Sequence, residues 1–520
     1  MWEKRVFRWC NQREMPTAIV REAIPRNVTI VMALMGLTIL AASIYRAAAA
    51  SFTHDEAFSY NHYITLSYVE ILSHTHAFTN NHLLNTLGMK LCDQLFGSSE
   101  IALRLPNLLA LALFLYYAAR LLLKLPPWIA IGGFVVLGTN SFMLELFTLA
   151  RGYGISFGFM LMALFHLVRS VQKGRLRDIV LFHLASVLAT LGNFTLLNVH
   201  LAGLVTLYIV LIARVALGDV PRKYLVPVTI TNAAMLAIST AVLWMPIRHT
   251  LEQNTLDFGG KSGFFSSTVS TWVMSLFPTL HIVEPVMIGF YIMIVLITLC
   301  ALGASIRRFI RGDVAFLTQW TTLPVVAFVL TLTCLFMEIQ HFLFGVDRLI
   351  GRFALFLLPL LVLLIVEILA LQHARGWKKA TSTGMALAAL WSAISCSRSF
   401  GPYHSVEWQY DVRTKDVVAA IAMDMNASDH HGPPVHVGVN WLFEPTMNFY
   451  RIQMGLEEIQ PLDKNGETGA DTYRVEFGFV EDPIIADGYR RMQAFPESGV
   501  VLLKKVDGHV QPNSHDGVKP

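Results

Sequence analysis

Apolar runs separated by short polar segments fill the first 400 residues of the chain. Each run has about 20 residues, the length that an α-helix needs to cross the roughly 30 Å of hydrocarbon in a bilayer. Helices of this length are predicted at residues 28–48, 101–122, 127–146, 153–170, 178–194, 197–215, 225–246, 284–305, 314–336, 353–371 and 380–397. The pattern therefore predicts an all-α polytopic membrane protein with about eleven transmembrane helices.

The pattern changes after Phe400 to that of a soluble domain. DVRTKDVVAAIAMDM and EPTMNFYRIQMGL have the periodicity of helices, VHVGVN alternates like a strand, and YRVEFGFV and VVLLKKV read as strands on either side of a predicted short helix, ADGYRRMQAF. Helices alternating with strands predict a small α/β domain at 399–520. It follows a basic tail at 1–26 and a transmembrane domain at 27–398.

Composition agrees with a membrane protein. The chain is 54% hydrophobic and 15% charged, whereas soluble domains contain about 25% charged residues. There is no run of Lys and Arg interleaved with aromatic residues, so nucleic acid is not indicated as a partner. The five cysteines form no CxxC pair, and neither a zinc site nor a redox pair is indicated.

Basic residues occur in every second loop between the predicted helices, and this regularity predicts the orientation of the chain. The basic positions are the N-terminal tail, Arg120/Lys124, Arg169–Arg177, Arg222/Lys223, Arg307–Arg311 and Arg375–Lys379. The N-terminus is therefore expected on the cytoplasmic side of an inner or plasma membrane. The outer loops are then 51–100, 248–283 and 338–352, and the C-terminal domain is periplasmic or extracellular. The run Ala47–Ala50 resembles a signal-peptidase site, but the long basic leader favours an uncleaved anchor.

The first chemical candidate is the segment SFTHDEAFSY, which directly follows the first predicted helix. It places His54, Asp55 and Glu56, which we call the HDE segment, next to one another at the outer edge of the membrane. Neighbouring residues on a helix point about 100° apart, so the two carboxylates are not expected to form a coupled pair. We expect one of them to face a reaction centre while the other supports it or faces a metal.

Cations form the second group of candidates. Arg151 in LARGYG, and Arg348 and Arg352 in DRLIGR, are predicted on the outer side, against the usual distribution of basic residues. A guanidinium offers a fork of donors that suits a phosphate at the head-group level. Lys261 is a weaker candidate of the same kind. Its GGKSG segment is no phosphate loop of the GxxxxGK[ST] type, because Thr255 stands where that motif requires glycine.

A carboxylate and several cations at one membrane face, together with a soluble outer domain, predict a reaction on a lipid-borne phosphate. A sugar carried on a polyprenyl phosphate fits this arrangement. Its phosphate gains negative charge as the C1–O bond breaks. Fixed cations stabilise this developing charge. The acceptor hydroxyl must lose a proton, which a carboxylate can take. A single base with direct displacement would invert C1.

Five segments resemble the GT-C membrane glycosyltransferases, in the branch of the protein O-mannosyltransferases and the lipid A aminoarabinose transferases. They are HDEAFSY, NNHLLNTLG, LFGSSEIALRLPNLLALAL, FTLARGYGISF and DRLIGRFALFLLPLLVLL. The resemblance covers about residues 1–400. It implies that Asp55 accepts the hydroxyl proton, that Glu56 assists, and that Arg151 with Arg348 or Arg352 holds the donor phosphate.

The chain departs from this family in its first outer loop, where NNHLLN replaces the usual HPPLY. Asn81 and His82 in this loop, with His54 and Tyr153, are candidates for contacts to substrate or metal. Some relatives bind a divalent ion through a Glu and a distant His, and others need none. His54, His82 and His281 are candidate ligands, and no cofactor is assigned.

Two other functions stay open. A flippase or transporter of lipid-linked saccharide would also need basic residues at the outer face of the membrane. It would need neither the Asp-Glu pair nor the outer domain. A ligase or polymerase with a diphosphate-linked donor would be harder to distinguish by sequence from a transferase that uses a polyprenyl-phosphate sugar. The sugar and the acceptor, whether glycolipid, polysaccharide or protein, do not follow from the sequence.

Overall fold

We analysed the protein as a computed structural model, which describes residues 25–74, 80–252, 259–278, 280–428, 434–463, 471–478, 484–485 and 488–506. The predicted basic tail lies outside the described residues, apart from Pro25 and Arg26. The C-terminal end from residue 507 also lies outside them.

The helices follow the apolar pattern closely. In chain order they are α1 (Arg26–Ala49), α2 (His54–Tyr63), α3 (Tyr68–Ser73), α4 (Leu83–Phe96), α5 (Glu100–Leu122), α6 (Pro127–Gly138), α7 (Ser141–Phe147), α8 (Gly152–Lys173), α9 (Leu176–Gly192), α10 (Leu197–Ala216), α11 (Leu225–Glu252), α12 (Ser270–Leu276), α13 (Glu284–Ile310), α14 (Val314–Gln319), α15 (Thr322–Phe344), α16 (Leu357–Ala374), α17 (Lys378–Ser399), α18 (Thr414–Ala427) and α19 (Glu444–Gln453).

A helix, or a pair of helices, stands at each of the eleven predicted positions. Among the described residues, eight helices are long and apolar enough to cross a membrane, and nine if the bent pair α6 and α7 counts as one span. Only 11% of the most apolar stretch of α13 is buried within the protein. Such an exposed apolar surface is stable in lipid and not in water. The chain is an integral membrane protein, as the sequence predicts.

The third predicted span is not a single helix. It bends by 62° between α6 and α7. The side chain of Asn140 accepts a hydrogen bond of 2.9 Å from the Met143 N–H and caps the new helix. The ninth predicted span is likewise divided, into α14 and α15.

The described chain falls into two compact units. The first comprises the described residues among 1–44, 67–88 and 105–400, and the second comprises those among 45–66, 89–104 and 401–520. The second unit thus contains the HDE segment as well as the soluble C-terminal residues.

The C-terminal residues form a five-stranded sheet with α18 and α19, which confirms the predicted α/β class. The strand order is β1 (Val437–Val439), β2 (Tyr473–Phe477), β5 (Val500–Lys505), β4 (Tyr489–Phe495) and β3 (Ile484–Ile485). The first two strands are parallel, joined through α19, and the remaining pairs are antiparallel. Apolar side chains of the inner strands, including Val475 and Leu502, are buried.

One prediction in this domain is wrong, because the described residues of ADGYRRMQAF do not form a helix. Its residues Tyr489–Phe495 form strand β4, which pairs with β5 across a register shift between Arg491 and Gln493. Arg, Met, Gln and Ala favour helices, but pairing with a neighbouring strand overrides this weak preference. The aromatic residues at both ends of the strand, Tyr489 and Phe495, are buried.

Glycines allow close packing around the ARGYG segment of the first unit. A Cβ on Gly152 would lie 1.9 Å from the carbonyl oxygen of Gly192 and 2.6 Å from Cβ of His82. A Cβ on Gly158 would lie 2.6 Å from the carbonyl oxygen of Ala110. The absence of side chains lets backbones approach, as in other membrane helix contacts. The approach at Gly152 sets the position of His82 relative to the start of α8.

The Gly152→Ala substitution is expected to destabilise the protein by about 3 kcal/mol or more, because backbone atoms must move to admit the methyl group. Gly289→Ala on α13 is the matched control, since nothing lies within 4 Å of its added Cβ. Thermal unfolding of both variants in detergent measures the difference. Equal melting temperatures would contradict the close approach.

Candidate active site

The HDE segment forms the first turn of α2 in the second unit. Thr53 precedes the helix, and its backbone N–H donates a hydrogen bond of 2.9 Å to Oε2 of Glu56. The next N–H, that of His54, donates a bond of 2.6 Å to Oδ2 of Asp411. Asp55 and Glu56 lie in this first turn, where the unpaired N–H groups and the helix dipole favour negative charge.

Glu56 forms a two-pronged ion pair with Arg104 of α5. The Nε–Oε1 and Nη2–Oε2 distances are 2.8 and 2.7 Å, and both side chains are fully buried. Arg104 also donates to the carbonyl oxygens of Ala47, Ala50 and Ser51. One guanidinium thus joins the end of α1, the start of α2 and the start of α5.

Asp55 has a different environment from its neighbour. Its side chain is half-buried, whereas that of Glu56 is fully buried. Burial raises the pKa of Asp411 to about 8, and the charge of Asp55 adds to this rise. Asp55 and Glu56 therefore have separate surroundings, as helix geometry requires.

His54 is held by the chain near β1. Its Nδ1 lies 2.7 Å from the carbonyl oxygen of Leu442. Because a carbonyl only accepts, Nδ1 carries the hydrogen and Nε2 of the neutral ring is an acceptor. The ring also meets Trp441 edge to face, with centroids 5.6 Å apart, and Trp441 is 54% exposed.

Four further candidate residues lie together in the first unit. Nε of Arg352 lies 3.1 Å from the hydroxyl oxygen of Tyr153, and the guanidinium carbons of Arg151 and Arg352 each lie 5.9 Å from the centre of the Tyr153 ring. His82 meets the same ring edge to face at 4.7 Å. We call these four residues the arginine–tyrosine cluster.

His82 is neutral in this setting. Burial lowers the pKa of His82 well below its usual value, and the positive charges of Arg151 and Arg352 lower it further. Its Nε2 is buried and has no hydrogen-bond partner among the described residues. The cluster thus offers two guanidinium groups, a phenol and an imidazole nitrogen.

The remaining candidates do not join this cluster. Arg348 pairs with Glu338 through two bonds of 2.9 Å, and its backbone pairs with Gly260. Lys261, next to Gly260, is exposed. Asn81 is buried, and its side-chain oxygen accepts a bond of 2.8 Å from Thr86.

No group of three or more His, Cys, Asp or Glu side chains that could hold a metal ion occurs within the described part of the chain. His54 is in the second unit, whereas His82 is in the first. The proposed metal contacts of these histidines therefore stay predictions.

Sequence reasoning did not assign roles to Arg104 or Asp411. Arg104 carries a recognisable signal, because an arginine in the apolar run EIALRLPNLL requires a buried acceptor. Asp411 carries none, since a single acid in QYDV has the appearance of an ordinary surface residue.

Comparison with known proteins gives a match in fold and none in sequence. No protein-family model and no curated protein matches the chain. The fold is similar to that of ArnT from Cupriavidus metallidurans in the apo state, with a TM-score of 0.50, 11% identity and coverage of 91% of this chain and 97% of that chain. ArnT bound to undecaprenyl phosphate gives a TM-score of 0.41 at 11% identity, covering 92% and 98%. The arabinosyltransferase EmbB from Mycobacterium smegmatis gives 0.37 at 14% identity, covering 86% and 45%.

The similarity to apo ArnT extends over nearly the whole of both chains. The predicted GT-C-like fold, a helical membrane protein with a small C-terminal α/β domain, is therefore confirmed. At 11% identity the similarity establishes the fold and leaves the substrates to be tested.

Replacing Arg104 by Met is expected to destabilise the protein by about 3–5 kcal/mol, because Glu56 would keep a buried charge without its partner. The double variant Glu56→Leu/Arg104→Met should recover part of this loss, since no unpaired charge stays buried. Arg248→Ala, at an exposed pair with Glu252, is the control and should change stability by about 0.5 kcal/mol or less. Chemical unfolding in detergent is the measurement, and a mild single variant would contradict the structural role of the pair.

Proposed function

We propose that this protein is an integral-membrane glycosyltransferase. It moves a sugar from a polyprenyl-phosphate donor to a hydroxyl acceptor at the outer face of the membrane, with inversion at C1. The observation that carries the proposal is the fold shared with ArnT over 91% of the chain. That ArnT binds undecaprenyl phosphate suggests the class of donor.

Asp55 is the proposed base. It is the half-buried carboxylate at the start of α2, whereas Glu56 is committed to Arg104. As the acceptor oxygen attacks C1, its proton passes to the Asp55 carboxylate. Glu56 is a positioning residue in this proposal, because its ion pair fixes the turn that carries Asp55.

The arginine–tyrosine cluster is the proposed site for the donor phosphate. The bond between C1 and the phosphate oxygen breaks, both of its electrons stay on that oxygen, and polyprenyl phosphate leaves. Arg151 and Arg352 would stabilise the charge that develops there, since cations placed in advance stabilise a transition state. Neutral His82 offers a hydrogen-bonding nitrogen without adding a third charge. Arg348 is a weaker candidate because it is bound to Glu338. Lys261 is also a weaker candidate, because it does not join the cluster.

The outer face is proposed from the basic residues in alternate loops, which would place the N-terminus in the cytoplasm. Nucleotide sugars made in the cytoplasm do not reach that face. A lipid-linked donor supplies the sugar there, and the acceptor would be a glycolipid, polysaccharide or protein of the cell envelope.

The Asp55→Asn variant is expected to lower kcat by about 10³-fold, since an amide cannot take the proton. Donor affinity and melting temperature should stay near those of the wild type. Release of polyprenyl phosphate from polyprenyl-phosphate hexoses and pentoses, in native membranes that supply acceptors, measures turnover. Asp416→Asn, at an exposed carboxylate of α18 paired with Arg413, is the control.

Turnover by Asp55→Asn at near the wild-type rate would remove Asp55 from the mechanism. A flippase would instead move the lipid-linked sugar across the bilayer at a rate unaffected by this change. Activity with diphosphate-linked donors alone would point to a ligase or polymerase.

Arg352→Met is expected to raise the donor KM about 10- to 100-fold, because a hydrogen bond to a charged group contributes roughly 1.5–3 kcal/mol. Arg348→Met removes the same charge from a neighbouring position that is paired with Glu338. It should lower stability while changing the KM little. A larger KM effect from Arg348→Met would transfer the phosphate role to Arg348.

A further inference from the structure

We propose that Asp411, near the start of the C-terminal residues, is a positioning residue for Asp55. This inference rests on the proposed function, in which Asp55 is the base. It gives the C-terminal part of the chain a role in the geometry of the reaction.

Asp411 holds the first turn of α2 directly. It is fully buried, and its Oδ2 accepts the 2.6 Å bond from the His54 N–H. Its Oδ1 accepts a bond of 3.1 Å from the Thr414 hydroxyl at the start of α18. One carboxyl group therefore links the residue that precedes Asp55 to the first helix of the C-terminal domain.

The helix needs such support because it is short. It has ten residues, and isolated helices shorter than about 12–15 residues are marginal in water. A side chain that accepts a hydrogen bond from one of the first N–H groups of a helix stabilises its first turn. That turn contains Asp55, so a loss of the bond frees the backbone that orients its carboxylate.

Other C-terminal groups restrain the same segment. The Phe52 N–H donates to the Tyr450 hydroxyl at 2.6 Å, and the side-chain amide of Asn61 donates to the Pro445 carbonyl at 2.9 Å. With the Leu442 carbonyl on His54, these bonds hold α2 before, at and beyond its first turn. Asp411 differs from them because it is a buried carboxyl group. Burying such a group costs free energy that its hydrogen bonds must offset.

The test compares three full-length variants. Asp411→Ala removes the bond to His54, and kcat should fall about tenfold or more with the donor KM within about twofold, because small displacements of a catalytic group mainly affect the chemical step. Asp411→Asn should recover most of kcat, since its amide oxygen accepts from the same N–H. Asp424→Ala is the control, because it removes bonds to Lys504 and Tyr473 in the same domain without touching α2.

Hydrogen–deuterium exchange supplies a second readout that does not require turnover. Exchange at residues 54–60 should rise in Asp411→Ala and stay unchanged in Asp424→Ala. If Asp411→Ala does not fold, Thr414→Val is used instead; it removes the bond from Thr414 to Oδ1 and should lower kcat about threefold.

Wild-type kcat in Asp411→Ala, or an equal loss in Asp424→Ala, would overturn the inference. Unchanged exchange at residues 54–60 would overturn it as well. If the wild-type protein transferred sugar from no donor, the proposed function would fail, whereas the exchange comparison would still decide whether Asp411 holds the helix.

Discussion

A charge that is removed from water must be matched by a partner of opposite charge and by hydrogen bonds, and the Glu56–Arg104 pair is built around this requirement. Both side chains are fully buried. Arg104 uses its remaining donors on three backbone carbonyls at the end of α1 and just before the HDE segment. The segment cannot shift without leaving a buried donor or acceptor unpaired, so the pair fixes the path of the chain into α2.

Three carboxyl groups meet the start of that helix, and each has different surroundings. Glu56 is neutralised by Arg104, Asp411 is buried and bonded to the His54 N–H, and Asp55 keeps partial access to solvent. In the proposed function, Asp55 is the one that exchanges a proton with the substrate. Adjacent residues of one sequence motif therefore have different surroundings, and burial and partners decide the chemistry of a carboxylate.

The sequence predicts those features that repeat locally. Apolar runs of spanning length locate the helices, and alternating residues locate three of the strands, whereas β4 is missed because its residues favour a helix until a neighbouring strand pairs with them. The position of His82 beside the start of α8 depends on the approach at Gly152. That approach joins residues far apart in sequence, for which a single chain provides no local signal. The hydrogen bond from the His54 N–H to Asp411 also joins residues far apart in sequence and has no local signal.

Asp411, which accepts a hydrogen bond from the first N–H of α2, lies 357 residues downstream of His54. During synthesis the HDE segment leaves the ribosome early, and nearly all of the membrane helices follow it before Asp411 appears. A ten-residue helix gains little order by itself in that interval. The restraint that Asp411 places on the first turn of α2 is therefore added only after the membrane helices have been made, and a chain that ended before Asp411 would lack it.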